Sequence, residues 1–266
     1  MSGIGRVALR VTDLDRVVAF YERVVGLALL DRTDERAVLG VDDPLLVLLA
    51  DPDATPRGER EAGLFHTAVR VPSRAALADA LDRIEDRWHL DGASDHHVSE
   101  ALYLTDPENN GVEVYRDRSR SAWPVDDGRV EMDTLPLALD DLRAAGEGGD
   151  ACPSGTTVGH VHLEPSSLSA ARAFYVEGLG LRVRQSMASA HFLAVDDYHH
   201  HVGLNTWNGR DQPTDDATRG LAWFELLVDE SPDAIRSRLD PSAVTDTETG
   251  LDVTDPDGMT VKLRER

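Results

Sequence analysis

The chain has 266 residues, enough for two domains or one large one, and 41% of them are hydrophobic, so a sizeable core is expected. Its 49 acidic residues against 27 basic ones give a formal charge of −22, which argues against a nucleic acid partner. One cysteine excludes an internal disulfide framework, and the lack of an apolar signal core or of a run of about 18 apolar residues predicts a cytoplasmic protein that does not enter membranes.

Nearly all of the positive charge comes from arginine, because Lys262 is the only lysine. A surface rich in Asp and poor in Lys is expected where dissolved salt screens the repulsion between like charges. We therefore hypothesise that this acidic protein is halophilic and works in a cytoplasm rich in salt.

Residues 1–117 contain two similar units, modules A and B. Module A opens with an alternating strand at Gly5, followed by an amphipathic helix predicted from Leu14 to Val25. Module B opens with a similar strand at Gly63 and has its helix from Ser73 to Ile84. In both modules short strands separated by turn residues follow the helix, so each module has the order βαβββ.

Residues 118–155 interrupt this pattern. They are acidic, contain glycine, and have one helical stretch from Leu139 to Ala145, so we predict a linker between two domains. Residues 156–266 contain modules C and D, whose helices are predicted from Ser167 to Glu177 and from Ser231 to Leu239.

The modules are internal repeats. Strings of module A recur in module C at a constant offset of 154 residues, including Ala19-Phe20-Tyr21, which recurs as Ala173-Phe174-Tyr175. Modules B and D share a weaker pattern that ends in an Asp-Pro turn, at Asp106 and at Asp255. A shared offset over about forty residues indicates duplication, and it predicts an α+β fold of four βαβββ modules.

All ten histidines lie in modules B and C, and modules A and D have none. His66 and His160 occupy the same place on the opening strands of B and C, and Glu113 lies on the last strand of B. A buried carboxylate is costly unless it is paired or bound to a metal. Two imidazoles and one carboxylate suit Fe(II), and Mn(II) accepts the same ligands. The alternative is a hydrogen-bonded His–Glu cluster inside a barrel.

Longer strings make the comparison with known families specific. They are Gly63-Leu-Phe-His66, Asp95-His-His-Val-Ser-Glu-Ala-Leu-Tyr-Leu-Thr-Asp-Pro107, Asn110-Gly-Val-Glu-Val-Tyr-Arg-Asp-Arg118, Gly159-His-Val-His-Leu163 and Tyr198-His-His-His-Val-Gly-Leu-Asn-Thr-Trp207. The chain resembles the vicinal-oxygen-chelate superfamily of glyoxalases, bleomycin-resistance proteins and extradiol dioxygenases. Within it, the chain is most similar to the bacillus-type catechol 2,3-dioxygenases, over nearly its whole length.

This resemblance implies two incomplete β-barrels with helices outside. It also implies an enzyme that cleaves the ring of catechol, or of a substituted catechol, with O2 at a mononuclear Fe(II) site. The metal ligands implied are His66, His160 and Glu113. The small aromatic diol and O2 are then the partners of the chain.

Further site residues are implied around the metal. Tyr103 stands three residues before Asp106, as the tyrosine beside the metal site does in this family, and His96 matches the upstream histidine better than His97 does. Both are expected to hydrogen-bond the substrate oxygens.

The catalytic acid or base matches one of three consecutive histidines. His200 is the expected one, on the last strand of its module, with His199 and His201 as rivals. Alternation along a strand places His199 and His201 on one face and His200 on the other.

The ligand positions depart from those of the better-known extradiol enzymes, which take their ligands from the third and fourth modules. Here the fourth-module positions hold Trp223 and Lys262, and module A has Arg6 where module C has His160. We therefore expect modules B and C to share the active barrel. Otherwise the ligand set is completed across a homo-oligomer.

Two other functions fit the same scaffold. A glyoxalase-type isomerase or lyase is expected to add a fourth protein ligand, His200 or His201, and to use Zn or Ni. A small-molecule binding protein without catalysis, like the bleomycin-resistance proteins, is expected to lack the three ligands.

Overall fold

The computed structural model describes residues 3–127 and 129–265 and shows an α+β fold made mostly of short strands. The strands of the first half are β1 (Ile4–Val11), β2 (Ala28–Arg32), β3 (Arg36–Gly40), β4 (Pro44–Ala50), β5 (Gly63–Arg70), β6 (Gly92–Asp95), β7 (Ser99–Thr105) and β8 (Gly111–Asp117). Three short strands follow, β9 (Val125–Asp126), β10 (Arg129–Val130) and β11 (Leu135–Pro136). The strands of the second half are β12 (Thr157–Glu164), β13 (Arg182–Met187), β14 (Ala190–Ala194), β15 (Val202–Asn205), β16 (Gly220–Val228), β17 (Val244–Thr247), β18 (Gly250–Thr254) and β19 (Thr260–Glu265).

The strands form two large sheets, each built from two modules. The first sheet has the order β17-β18-β19-β16-β1-β4-β3-β2, so modules A and D lie together. The second has the order β11-β6-β7-β8-β5-β12-β15-β14-β13, so modules B and C lie together. Each sheet curls into an incomplete barrel, which confirms the predicted fold. We call them the A–D barrel and the B–C barrel.

The opening strand of each module lies at the centre of its barrel. In the B–C barrel, β5 pairs antiparallel with β12, and each pairs in parallel with the last strand of its own module, β8 and β15. Parallel pairing requires a crossover, which the helix and hairpin between the two strands supply. As a result β8, β5 and β12 lie side by side and carry Glu113, His66 and His160 on one wall.

The helices lie outside the sheets and begin close to the predicted residues. They are α1 (Leu14–Phe20), α2 (Arg74–Arg87), α3 (Leu139–Arg143), α4 (Leu168–Arg172) and α5 (Pro232–Arg236). The last turns after α1 and α4 are π-helical, at Tyr21–Val25 and Ala173–Gly178. The prediction for module D was too long, because α5 ends at Arg236 and Leu239 lies beyond it.

Side-chain caps explain where three helices start. Asp13, Ser73 and Ser167 each accept a hydrogen bond from a backbone N–H of the first turn. The buried side chains of the helices join those of the sheets in one large core. The longest helix has 14 residues, and none in the described part of the chain could cross a bilayer.

The segment predicted as a linker contributes to the B–C barrel. Its strand β11 pairs with β6, and its Trp123 and Val130 pack against Tyr198 of module C. Cys152 is buried, and its thiol donates a hydrogen bond to the carbonyl oxygen of Val25 at 3.2 Å. This segment therefore packs into the fold, and the division of the chain into domains at this point stays a prediction.

Candidate metal centre and active site

Three metal-ligating side chains meet on the inner wall of the B–C barrel. His66 on β5, Glu113 on β8 and His160 on β12 are all buried. Oε2 of Glu113 lies 2.9 Å from Nε2 of His66 and 3.1 Å from Nε2 of His160, and the two imidazole nitrogens are 3.3 Å apart. Within residues 3–127 and 129–265, no other group of His, Cys, Asp and Glu side chains converges in this way.

The chemistry of these three residues fits a bound divalent metal. Ligand bonds of about 2.1 Å that meet at right angles place their donor atoms about 3.0 Å apart, close to the spacing found here. Burial lowers the pKa of His160 to about 4, so its imidazole is neutral at neutral pH. Burial alone would raise the pKa of Glu113, but its contacts with His160 and His66 hold that pKa well below its usual range. A neutral imidazole and a carboxylate are the forms that bind metals.

The centre opens into a cavity of about 310 Å³. This volume is at the lower end of the range of about 300–1,000 Å³ for small-ligand pockets. Apolar side chains form much of the wall, namely Phe65, Met132, Met187, Phe192 and Trp207. Met132 belongs to the segment between modules B and C, so that segment also shapes the cavity. The cavity can therefore enclose a small, largely apolar molecule beside the metal ligands.

Tyr103 and His96 lie together at the cavity, as a hydrogen-bonded pair. Nε2 of His96 is 2.7 Å from the Tyr103 hydroxyl, and its Nδ1 is 2.6 Å from the carbonyl oxygen of Asp133. Burial and the nearby charge of Glu113 raise the pKa of Tyr103 well above its usual value, so its phenol stays protonated. The rival His97 is exposed in a turn and has a positive φ of 66°.

His200 lies at the cavity, but not for the reason that the sequence suggested. The prediction that His199, His200 and His201 lie on a strand is wrong, because they form an irregular turn before β15. The ring of His200 lies 4.1 Å from that of His160, between ring centres, and it lines the cavity. His199 lies behind it, and His201 stacks on Tyr198 outside the cavity.

His162 also lines the cavity and had no predicted role. It lies two residues after His160 on β12, so alternation places both side chains on one face. Its ring packs among aromatic side chains, and its buried Nε2 has no hydrogen-bond partner in the described part of the chain. A side chain at Gly203 of the neighbouring strand would lie within 2.9 Å of this ring, so glycine there makes room for it. The string Gly159-His-Val-His162 is enough to predict this position, because two histidines separated by one residue on a strand share a face.

The A–D barrel has an ion-pair cluster where the B–C barrel has His66, Glu113 and His160. Arg6, Trp223 and Lys262 occupy the equivalent positions. Arg6 pairs with Glu225 at 2.6 Å, and both Arg6 and Lys262 lie over the ring of Trp223, at 5.7 and 4.7 Å from its centre. Two cations and an indole do not bind a metal ion, so the described residues place the metal-ligating chemistry in one barrel.

Comparisons with known proteins agree with this geometry. Residues 3–114 match the Glyoxalase/Bleomycin resistance protein/Dioxygenase superfamily. Over 95% of its length the chain is 37% identical to Catechol-2,3-dioxygenase of Bacillus subtilis (strain 168), of which 93% is covered.

Solved structures show the same fold at much lower identity. The cppA protein from Streptococcus pneumoniae TIGR4 has a TM-score of 0.64 and 13% identity, with 99% of this chain and 100% of that one covered. Glyoxalase I from Zea mays has a TM-score of 0.60 and 15% identity, with 98% and 92% covered. The resemblance predicted from the sequence is confirmed by the identity to the bacterial dioxygenase: the chain belongs to the glyoxalase/bleomycin-resistance/dioxygenase superfamily and is an extradiol dioxygenase-like enzyme.

Proposed function

We propose that this enzyme opens the ring of catechol, or of a substituted catechol, next to its two hydroxyl groups, with O2 as the oxidant. The observation that carries the proposal is the meeting of His66, Glu113 and His160 at one end of a largely apolar cavity. The name of the relative from Bacillus subtilis supports the same chemistry.

The three ligands are proposed to hold Fe(II), and Mn(II) is the second candidate because it accepts the same ligand set. When bound, the metal supplies a Lewis acid for the two ring oxygens and the redox chemistry with O2. The protein provides one carboxylate and two imidazoles in a buried site, which leaves room for the substrate on the cavity side.

The surrounding side chains are proposed to handle protons and orientation. His200 takes a proton from a substrate hydroxyl and later returns it, as a general base and acid. The carbonyl oxygen of Asp133 accepts from Nδ1 of His96, so Nε2 of His96 accepts from the Tyr103 hydroxyl, whose oxygen is left to accept a hydrogen bond from a substrate hydroxyl. Phe65 and Phe192 enclose the ring and exclude water, which strengthens these polar contacts.

The alternatives are less well supported by the site. A glyoxalase-type reaction is expected to use a fourth protein ligand, and the convergent group in the described residues has three members. A binding protein without catalysis has no need for a buried carboxylate between two imidazoles, because that arrangement is costly without a metal.

Ring cleavage gives a direct test. Purified protein loaded with Fe(II) without air should, on addition of catechol and O2, form the yellow ring-opened product and consume one O2 per catechol. Glu113→Ala should abolish both signals while circular dichroism shows a retained fold. Lys262→Ala, at the equivalent position of the A–D barrel, is the matched control and should remain active. Unchanged turnover in Glu113→Ala would contradict the proposal.

The acidic surface bears on where the enzyme works. We propose a cytoplasmic enzyme adapted to high salt, from the formal charge of −22 and the single lysine. Measured stability across salt concentrations tests this proposal, as set out below.

A further inference from the structure

A chain of hydrogen bonds leads from the cavity into the wall of the B–C barrel. Nδ1 of His200 lies 2.8 Å from Nδ1 of His199, and Nε2 of His199 lies 3.0 Å from Oδ1 of Asp117. Both imidazoles are buried, whereas the Asp117 side chain is 23% exposed. The donor and acceptor chemistry of each group determines which nitrogen or oxygen carries the proton in each of these hydrogen bonds.

Asp117 acts as an acceptor at one end of the chain. Nη1 of Arg70 donates to its Oδ2 at 3.3 Å, and the Tyr198 hydroxyl donates to its Oδ1 at 2.9 Å. Burial raises the pKa of Asp117, but the contacts with His199, Arg70 and Tyr198 together bring that pKa below its ordinary value. An ionised carboxylate only accepts hydrogen bonds, so Nε2 of His199 carries a proton and donates it.

The contact between the two imidazoles then has one solution. A neutral imidazole carries a single N–H proton. In His199 this proton is on Nε2, so Nδ1 of His199 must accept a hydrogen bond. Nδ1 of His200 is therefore the donor. A second proton on His199 would add a buried positive charge. Asp117 would not balance this charge, because Arg70 already balances Asp117. The remaining nitrogen of His200, Nε2, is left without a proton.

We propose that Asp117, acting through His199, is a positioning residue that fixes His200 in its Nδ1–H tautomer and presents Nε2 to the cavity as a proton acceptor. The catalytic part of this inference rests on the proposed function, since the proton comes from a substrate hydroxyl. Transfer of that proton to Nε2 makes His200 an imidazolium, whose Nδ1–H still donates to His199. Asp117 then lies at the far end of the chain with the opposite charge.

Asp117→Asn should reverse every hydrogen bond in the chain. Arg70 can only donate, so it holds the amide oxygen on its own side, and the amide NH2 then faces His199. Nε2 of His199 must accept, its Nδ1 donates, and His200 is forced to carry its proton on Nε2. The atom that faces the cavity changes from an acceptor to a donor without any loss of side-chain volume.

Long-range 1H–15N correlation spectra of the full chain, labelled at histidine nitrogen and freed of paramagnetic metal, report the tautomer directly. His200 should be the Nδ1–H tautomer in the wild type and the Nε2–H tautomer in Asp117→Asn. Asp197→Asn, an exposed substitution on the same segment, is the matched control and should leave His200 unchanged. A wild-type His200 protonated on Nε2 would overturn the proposal without any variant.

Kinetics supply the second readout. With Fe(II) bound, kcat of Asp117→Asn should fall roughly 100-fold or more while KM changes less than about threefold, since general acid–base catalysis contributes about 10²–10⁴-fold. A normal kcat together with a reversed tautomer would also overturn the proposal. If Asp117→Asn does not fold, His199→Phe removes the acceptor, and His200 should then show both tautomers. The spectra need no substrate, so an absence of ring cleavage contradicts the proposed function and leaves the tautomer assignment to its own test.

Discussion

Replacing Glu113 by Gln removes the only formal negative charge among the three proposed ligands with little change in side-chain size. One carboxylate oxygen contacts both imidazoles, at 2.9 and 3.1 Å, so the substitution acts at the point where the three side chains meet. Loss of a residue that only supports a ligand weakens metal binding about 10–100-fold, so loss of the ligand itself should cost about 100-fold or more.

This loss has a measurable effect on stability. A metal present at about 100 times its dissociation constant stabilises the fold by about 2.7 kcal/mol, and a 100-fold weaker site reduces this to about 0.4 kcal/mol. For a chain of this size the difference corresponds to roughly 5–9 °C in Tm. Glu113→Gln should therefore lose most of the rise in Tm that Fe(II) or Mn(II) produces in the wild type.

Thermal melts followed by circular dichroism, with and without the metal and under anaerobic conditions for Fe(II), measure this effect. Competition with a chelator gives the dissociation constants independently. Lys262→Gln changes the equivalent position in the A–D barrel and should keep the full metal-induced rise. An equal rise in Glu113→Gln would refute the assignment of Glu113 as a ligand.

Three further predictions follow from the cavity and the surface. Tyr103→Phe should keep the fold and lower kcat roughly 10- to 100-fold in steady-state assays, because it removes the hydroxyl oxygen that accepts a hydrogen bond from the substrate. His162→Leu should raise KM, while thermal melts show a protein at least as stable as the wild type, because an unpaired buried polar atom costs about 1–3 kcal/mol. Raising NaCl from about 0.1 to about 1 M shortens the screening length from about 10 to about 3 Å, so Tm should rise, and a salt-independent Tm would contradict the halophilic hypothesis.

The sequence predicts much of this fold because duplication repeats its signals. The strings at a constant offset identify equivalent strands, and the alternation of apolar residues identifies their buried faces. Helix starts follow from Asp13, Ser73 and Ser167, whose side chains cap the first turn. Helix ends are less well predicted, because the π-helical turns and the early end of α5 depend on packing against the sheets.

Other parts of the site could not be predicted by comparing one module with another. Alternation predicts side-chain directions only along a strand, but His199 to His201 form a turn, where side-chain directions depend on contacts with Asp117 and Tyr198. The segment between modules B and C has no counterpart elsewhere in the chain. Its Met132 and Asp133 reach the cavity through tertiary contacts that no local pattern encodes.

The two barrels compensate a buried carboxylate in different ways. Each barrel has a buried carboxylate on or beside its opening strands, Glu225 in the A–D barrel and Glu113 in the B–C barrel, and a buried carboxylate needs compensation. In the A–D barrel, Arg6 is paired with Glu225 and Lys262 with Asp252 at 3.2 Å, so the charges are matched by protein groups.

In the B–C barrel, the charge of Glu113 faces two imidazoles instead. His160 is neutral at neutral pH, since burial lowers its pKa to about 4, so it cannot balance the carboxylate in the way that Arg6 balances Glu225. A divalent cation would supply positive charge beside the carboxylate and accept the lone pairs of both imidazoles. The same position on duplicated strands therefore favours an ion pair in one barrel and a metal ion in the other, which explains why Arg6 and Trp223 stand where modules C and B have His160 and His66.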